Sequence, residues 1–179
     1  MSARAYVGLG SNLGDRAAQL EAAVAGLAAT PGARLLACSS LYETDPVGPP
    51  GQGPYLNAVV LLETSLAPRE LLARLQELEA AAGRTRSGVR NEARTLDLDL
   101  LLYGERCVDE PGLVVPHPRL HERPFVLAPL RELAPEARHP RLGRRVGELA
   151  AALEASGAWA PGLVRHFAPP PQALGGPCR

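Results

Sequence analysis

The N-terminal part of the chain combines an apolar run, a glycine-containing segment and an amphipathic stretch. Arg4–Leu9 is short and mostly apolar, and a polar segment over 10–15 follows it. Leu20, Val24 and Leu27 then recur at the spacing of a buried helix face. The pattern predicts a strand, a turn and a helix, and the helix ends at the following Pro-Gly pair.

Two further runs, Leu35–Tyr42 and Leu56–Glu63, are rich enough in apolar residues to predict strands. Pro68 suits the first turn of a helix. That helix carries one apolar stripe and closes at a glycine; the stripe consists of Leu71, Leu75, Leu78 and Ala82.

Leu96–Leu100 alternates leucine with aspartate, which predicts a strand with its leucines buried and its aspartates on the other face. The elements therefore follow the order strand, helix, strand, strand, helix, strand. We expect an α+β protein with a ferredoxin-like βαββαβ core, in which helices pack on one face of an antiparallel sheet.

Beyond this core we expect a C-terminal helical and irregular extension, with a last helix over Val146–Ala155. The chain length suits one domain, which we expect to span residues 1–159. Residues 160–179 are rich in proline and glycine and poor in apolar side chains, so they are expected to form a flexible tail without an element of their own.

Two segments are longer than their neighbouring elements need as connections. Glu43–Pro54 is rich in proline and glycine, and Arg84–Arg94 holds four arginines. Long loops of this kind are usually functional or disordered, so both are candidate lids over a binding site.

Charge and composition narrow the function. The 19 basic and 19 acidic residues balance, so we expect neither nucleic acid nor a membrane as a partner. The chain contains no lysine, which excludes a Walker-type phosphate loop and a Schiff-base enzyme. A phosphate site must therefore use arginine, backbone amides and metal.

The three cysteines, Cys38, Cys107 and Cys178, are an odd number without close spacing, which favours a reducing cytoplasm over a disulfide framework. We also expect no cleaved signal and no membrane span, since no stretch approaches the ~20 apolar residues required.

Asp97 and Asp99 are the strongest chemical candidates. Two residues apart on a strand, their carboxylates point the same way with Cα atoms roughly 7 Å apart. Hard oxygen ligands suit Mg²⁺, which takes one or two carboxylates and completes its shell with water and phosphate. The alternative is a solvated polar face. Four nearby arginines favour phosphoryl transfer over that alternative: Arg84, Arg86, Arg90 and Arg94.

Other motifs are weaker. His117 and His121 are four residues apart, but Pro118 disfavours a helical zinc site. The glycines at 8, 10 and 14 lack the spacing and the crossover helix of a dinucleotide fold. Core packing is the alternative for Tyr55 and Phe125, and an ordinary polar strand position for Asn57.

Four segments together resemble the 6-hydroxymethyl-7,8-dihydropterin pyrophosphokinases of folate biosynthesis, in family order over about residues 4–150. They are Gly10-Ser11-Asn12-Leu13-Gly14-Asp15, Tyr55-Leu56-Asn57, Arg94-Thr95-Leu96-Asp97-Leu98-Asp99 and Pro116-His117-Pro118-Arg119. The resemblance implies a ferredoxin-like fold and a requirement for ATP and two magnesium ions. We also expect the protein to be a cytoplasmic monomer. It implies transfer of the β,γ-pyrophosphoryl group to the pterin hydroxymethyl oxygen, with release of AMP.

The resemblance also implies residue roles. Asp97 and Asp99 would bind magnesium and act in catalysis with Arg84 and Arg94. The pterin would contact Thr44, Val47, Tyr55, Asn57 and Phe125, with the two aromatic rings flanking it and the first two residues contributing backbone groups. The nucleotide would contact Gln76, Glu79, Arg86, Leu100, His117 and Arg123.

Two positions depart from the family pattern, since Asn91 stands where some relatives have tryptophan and Gly112 where some have arginine. Adenine packing is therefore expected to differ. A non-catalytic ferredoxin-like module that binds a small metabolite remains the alternative function. A nicotinamide-dependent reductase does not fit the predicted topology, and the general base is left open.

Overall fold

The computed structural model describes residues 1–46, 50–83 and 93–171. The strands are β1 (Ala3–Ser11), β2 (Ala33–Cys38), β3 (Leu41–Thr44), β4 (Tyr55–Thr64), β5 (Asp97–Tyr103), β6 (Val108–Glu110), β7 (Leu113–Val115), β8 (Arg138–His139), β9 (Arg144–Arg145) and β10 (Val164–Ala168). The helices are α1 (Arg16–Ala28), α2 (Pro68–Ala81), α3 (Pro124–Leu133) and α4 (Val146–Ala155), with a 3₁₀ turn over Leu120–Glu122.

The main sheet has the spatial order β10-β3-β4-β1-β5, and β2 pairs with β4 beside β3. Its strand pairs are antiparallel throughout the described ranges. Together β2 and β3 take the place of the single strand predicted over Leu35–Tyr42. The strand breaks at Ser40, whose N–H and Oγ both donate to Glu132 Oε1 of α3 at 3.0 Å. The predicted ferredoxin-like α+β fold is confirmed.

Helices cover both faces of the sheet. On one face, α1 and α2 pack against residues such as Val7 and Leu9 of β1, as predicted for the core. On the other face, α3 and α4 of the C-terminal extension pack against Tyr6 and Val59. Helix α4 has the predicted bounds. No helix in the described ranges is long and apolar enough to span a membrane.

The prediction that no element forms after residue 160 is wrong. Val164–Ala168 forms β10, the edge strand beside β3. An edge strand gains backbone hydrogen bonds from its neighbour, so it forms without a strong apolar pattern of its own. Residues 172–179 lie outside the described residues.

A buried carboxylate joins α2 to the outer edge of β5. Glu79 is 4% exposed, and its Oε1 accepts a hydrogen bond from the Leu98 N–H at 2.8 Å. Because β5 is the edge strand, this N–H has no partner strand on its outer side. The carboxylate therefore satisfies a backbone donor at the strand that carries the aspartates.

We expect Glu79→Ala to lower the free energy of unfolding by about 1–3 kcal/mol, because it leaves the Leu98 N–H buried and unpaired. Glu77→Ala on the exposed face of the same helix is the matched control and should change stability by no more than ~0.5 kcal/mol. Urea denaturation measures both. Equal effects of the two substitutions would contradict a structural role for Glu79.

Candidate active site

On the α3 face, the central strands change from apolar to polar along their length. Tyr6 and Leu101 lie in the apolar core beneath α3 and α4. Farther along, Gly10 of β1 lies opposite both Asn57 of β4 and Asp97 of β5. Neighbouring strands are about 4.8 Å apart, so Asn57 and Asp97 stand roughly 10 Å apart across one glycine.

Two glycines form the floor between these strands. A Cβ built on Gly10 would lie 3.4 Å from Asn57 Oδ1 and 4.0 Å from Asp97 Cβ, and one on Gly8 would lie 3.4 Å from Leu101 Cδ1. Both positions point to the α3 face, since side-chain direction alternates along a strand. Because neither glycine has a side chain, the α3 face of β1 stays open at these two positions and a ligand can lie across the strand.

The floor belongs to a cleft of about 670 Å³ between the sheet, α3 and the segment before α3. This volume is in the usual range for small-molecule sites. Most of the residues predicted for the site line this cleft, namely Thr44, Tyr55, Asn57, Arg94, Asp97, Asp99, His117, Arg123 and Phe125.

The two aspartates form the acidic part of the cleft. Asp97 Oδ2 lies 2.9 Å from Arg94 Nη1, and Asp99 Oδ2 lies 3.9 Å from Arg123 Nη1. Burial, together with the charge of Asp97, raises the pKa of Asp99 to about 6 against the opposing effect of Arg123. The pair therefore suits a cation that relieves the repulsion between two carboxylates.

His117 supplies a neutral polar group at the same end. Its backbone N–H donates to the Leu101 carbonyl at 2.9 Å, and its Nδ1 accepts from the Arg119 N–H at 3.1 Å. Burial, assisted by the charge of Arg123, lowers the pKa of His117 to about 4. At neutral pH the imidazole is uncharged with its proton on Nε2, which makes Nε2–H a hydrogen-bond donor.

The opposite end of the cleft is aromatic and amide-lined. Asn57 is buried, and its Nδ2 donates to Thr44 Oγ1 at 2.9 Å. This bond fixes the orientation of the side-chain amide. Tyr55 and Phe125 are half-buried, and the Arg123 guanidinium lies 5.6 Å from the centre of the Phe125 ring. The arrangement suits a flat, polar heterocycle.

Asn12 ties this site to both long loops. Its Oδ1 accepts from the Arg94 N–H at 2.7 Å, and its own N–H donates to the Arg94 carbonyl at 3.0 Å. Its Nδ2 donates to Gln52 Oε1 at 3.1 Å and to the Gly53 carbonyl at 3.4 Å. One buried amide therefore sets the position of Arg94 relative to the first loop.

Three of the remaining predicted residues, Gln76, Glu79 and Leu100, do not line the cleft. Gln76 is exposed on α2, and Glu79 is buried against Leu98. The side chain of Leu100 is buried in the core beneath α1 and α2. Val47, Arg84 and Arg86 lie outside the described residues.

Four residues of the site were not predicted from the sequence: Gly8, Gly10, Asn12 and Arg119. Gly8 and Gly10 are two apart on a predicted strand, a spacing that signals an open patch on one face. Asn12 and Arg119 stood inside the quoted motifs without an assigned role. Arg119 lines the cleft.

The chain is similar in sequence to known proteins over most of its length. Residues 6–135 match the sequence model of the 7,8-dihydro-6-hydroxymethylpterin-pyrophosphokinase family. A 2-amino-4-hydroxy-6-hydroxymethyldihydropteridine pyrophosphokinase of Pseudomonas aeruginosa is 48% identical over 152 residues, covering 85% of this chain and 93% of that protein. The protein of the same name from Bacillus subtilis is 50% identical over 129 residues, covering 72% of this chain and 77% of its own length.

Solved structures show the same fold. An HPPK-DHPS from Plasmodium falciparum superposes with a TM-score of 0.70 at 14% sequence identity, over 88% of this chain and 45% of that one. This chain therefore spans less than half of that longer protein. The family match over most of the chain and the close relatives show that the chain belongs to the 7,8-dihydro-6-hydroxymethylpterin pyrophosphokinase family.

Proposed function

We propose that this chain transfers the β,γ-pyrophosphoryl group of ATP to the hydroxymethyl oxygen of 6-hydroxymethyl-7,8-dihydropterin and releases AMP. One observation supports this most directly. Asn57, Gly10 and Asp97 lie side by side in one row across three neighbouring strands. The amide of Asn57 suits a heterocycle, and the carboxylate of Asp97, roughly 10 Å away, suits a metal-bound phosphate. A two-ring heterocycle with a hydroxymethyl arm can bridge that separation, with the ring at the amide and the arm directed toward the carboxylate.

At one end, Tyr55 and Phe125 flank the pterin ring, and Asn57 forms hydrogen bonds to it. The bond from Asn57 Nδ2 to Thr44 Oγ1 holds the amide in one orientation, so that no rearrangement is needed when the ring binds. Thr44 and Val47 contribute main-chain contacts to the same ring.

At the other end, Asp97 and Asp99 hold two magnesium ions. The donor set fits this metal, because Mg²⁺ prefers carboxylate oxygens and needs only one or two of them beside phosphate and water. No cluster of three or more ligating side chains occurs among the described residues, which argues against an all-protein metal cage there. Bound magnesium neutralises phosphate charge that develops during transfer.

The arginines and His117 orient the nucleotide. Arg84, Arg86, Arg94 and Arg123 bind phosphate oxygens through paired N–H groups, and His117 donates from Nε2. Glu79 and Gln76 on α2 and Leu100 on β5 contribute to the nucleotide site. For Leu100 we assign the contact to its main chain, because the side chain is 4% exposed.

The reaction then depends on alignment. The hydroxymethyl oxygen forms a bond to the β-phosphorus while the bond from that phosphorus to the α,β-bridging oxygen breaks. AMP leaves with the bridging oxygen, and the hydroxyl proton is released to solvent. Asn57 and the two rings hold the nucleophile, while Arg94 and Arg123 hold the phosphates. Exclusion of water by the two long loops limits hydrolysis of ATP.

We expect Arg94→Ala to lower kcat by about 10²-fold, the usual cost of losing one donor to transition-state charge. The dissociation constant of the pterin should change little, because Arg94 lies at the aspartate end of the cleft. Steady-state kinetics and calorimetric pterin binding separate the two effects. Arg94→Lys keeps the charge but loses the planar fork, so it should be intermediate; an equal loss of pterin affinity would contradict this assignment.

The decisive experiment is to incubate the protein with Mg-ATP and the dihydropterin and to identify the nucleotide product by chromatography. AMP together with pterin diphosphate supports the proposal. ADP would indicate an ordinary kinase with attack at the γ-phosphorus, and tight pterin binding without turnover would favour the non-catalytic module.

We further propose that the protein acts as a cytoplasmic monomer. Light scattering after gel filtration should give the mass of one 18.9 kDa chain, and twice that value would overturn the monomer.

A further inference from the structure

The C-terminal strand β10 lies outside the segment that matches the family model, yet it borders the cleft. It pairs with β3 so that Val164 lies opposite Thr44 and Arg165 opposite Glu43. Directly opposite residues point to the same face of a sheet. Val164 therefore faces the cleft with Thr44, and Arg165 faces the opposite side with Glu43.

On the cleft side, the segment leading into β10 forms an apolar wall. Ala158, Leu163 and Val164 all line the cleft at the end that holds Thr44. Thr44 in turn accepts the hydrogen bond from Asn57 Nδ2. The wall is thus continuous with the end of the cleft assigned to the pterin.

On the other side, Glu43 is shared by two arginines. Its Oε1 lies 3.4 Å from Arg165 Nη2, and its Oε2 lies 3.0 Å from Arg16 Nη1. Arg165 Nη2 also lies 3.0 Å from Asp45 Oδ1, and Arg16 Nη1 donates to the Pro54 carbonyl at 2.8 Å. We call these four side chains, Arg16, Glu43, Asp45 and Arg165, the Glu43 network.

The Glu43 network connects the two ends of the first long loop. Asp45 begins that loop and Pro54 ends it, and both are held through arginines that share one carboxylate. The Glu43 and Arg16 side chains are only 22% and 23% exposed, so their pairing is screened less than that of a surface ion pair. The Arg165 side chain is 43% exposed, so its pairing with Glu43 and Asp45 is weaker. The network therefore restrains Asp45 and Pro54, the neighbours of the cleft-lining residues Thr44 and Tyr55.

We propose that Glu43 and Arg165 are positioning residues for the pterin, which makes β10 part of the substrate site. They touch neither substrate and act by holding Asp45 and Pro54 beside the cleft-lining residues Thr44 and Tyr55. This inference rests on the proposed function, because it places these residues at the pterin end of that same cleft.

Glu43→Gln and Arg165→Gln test the proposal in the full-length protein. Glu43→Gln should raise the KM for the pterin by about tenfold, because it breaks the partly buried pair with Arg16. Arg165→Gln should raise it by about threefold, because Arg165 is more exposed. Both should leave the KM for Mg-ATP within about twofold of wild type. Arg165→Lys keeps the charge and should restore most of the pterin affinity. Glu63→Gln, which breaks the exposed Arg34–Glu63 pair between β2 and β4, is the matched control and should change neither KM.

Thermal melting shows whether a variant is folded. Folded Gln variants with wild-type pterin KM would overturn the positioning role, as would an equal rise in both KM values. Wild-type protein that forms no AMP would overturn the proposed function and this inference with it, whereas wild-type turnover with unaffected variants would overturn this inference alone.

Discussion

Asp97→Asn and Asp99→Asn are each expected to lower kcat by about 10³-fold or more, since metal binding to transferring phosphate supplies several kcal/mol of stabilisation. The amide is nearly isosteric but carries no charge and binds Mg²⁺ weakly. Both side chains lie on the cleft face, so the core beneath α1 and α2 is untouched. The AMP-forming rate measured over a magnesium titration checks the prediction.

The melting temperature provides the control for these variants. Asp99→Asn removes a buried carboxylate that is repelled by Asp97, so without metal this variant should melt no lower than wild type. Asp97→Asn also loses the charge that pairs with Arg94 at 2.9 Å, so it should melt slightly lower while remaining folded. Asp109→Asn on β6 removes an exposed carboxylate that pairs with Arg141 at 3.6 Å, and it should leave kcat unchanged. Near-normal turnover in both cleft variants would refute the assignment of Asp97 and Asp99 as magnesium ligands.

Gly10→Val is expected to reduce kcat/KM by about 10²-fold, because a branched side chain on the cleft floor displaces a ligand that crosses β1. Even a Cβ at this position would lie 3.4 Å from Asn57 Oδ1 and 3.8 Å from Tyr55 Cδ1. Valine is a favourable residue in a strand, so the fold should be retained or stabilised. Steady-state kinetics together with thermal melting measure the two effects.

Gly10→Ala is a milder substitution at the same position, since one methyl group occupies less of the cleft than a valine side chain. Its loss of kcat/KM should be smaller than that of Gly10→Val. The KM for the pterin should rise more than the KM for ATP. Wild-type kcat/KM in the valine variant would mean that the substrates do not meet above β1.

Local patterns predicted the elements that bury one clear face. The leucine stripe of α2 and the alternation in β5 are properties of contiguous residues, and α4 was also correct. The break between β2 and β3 could not be predicted, because it depends on Glu132 accepting hydrogen bonds from Ser40 across 92 positions. Helix α3 was missed because it is buried on several sides and contains Pro129, which obscures the helical period.

The same difference between local sequence patterns and long-range contacts applies to the site. Asp97, Arg94 and His117 stand in recognisable motifs, so their identity could be predicted from the sequence. That Asn57 and Asp97 share one row could not, because the row is set by the register of β1 with two strands that are distant in the chain. The role of β10 depends similarly on its pairing with β3.

The glycine floor also links substrate supply to the lifetime of the protein. In most sheets, side chains at such positions pack against the opposing layer. At Gly8 and Gly10 a bound ligand must make these packing contacts instead. A ligand that binds only the folded state stabilises it by about 2.7 kcal/mol at a concentration of 100 times its Kd. Cells that run short of nucleotide or pterin would then hold a larger unfolded fraction, which proteases remove, so the abundance of this protein would follow the metabolites that it binds.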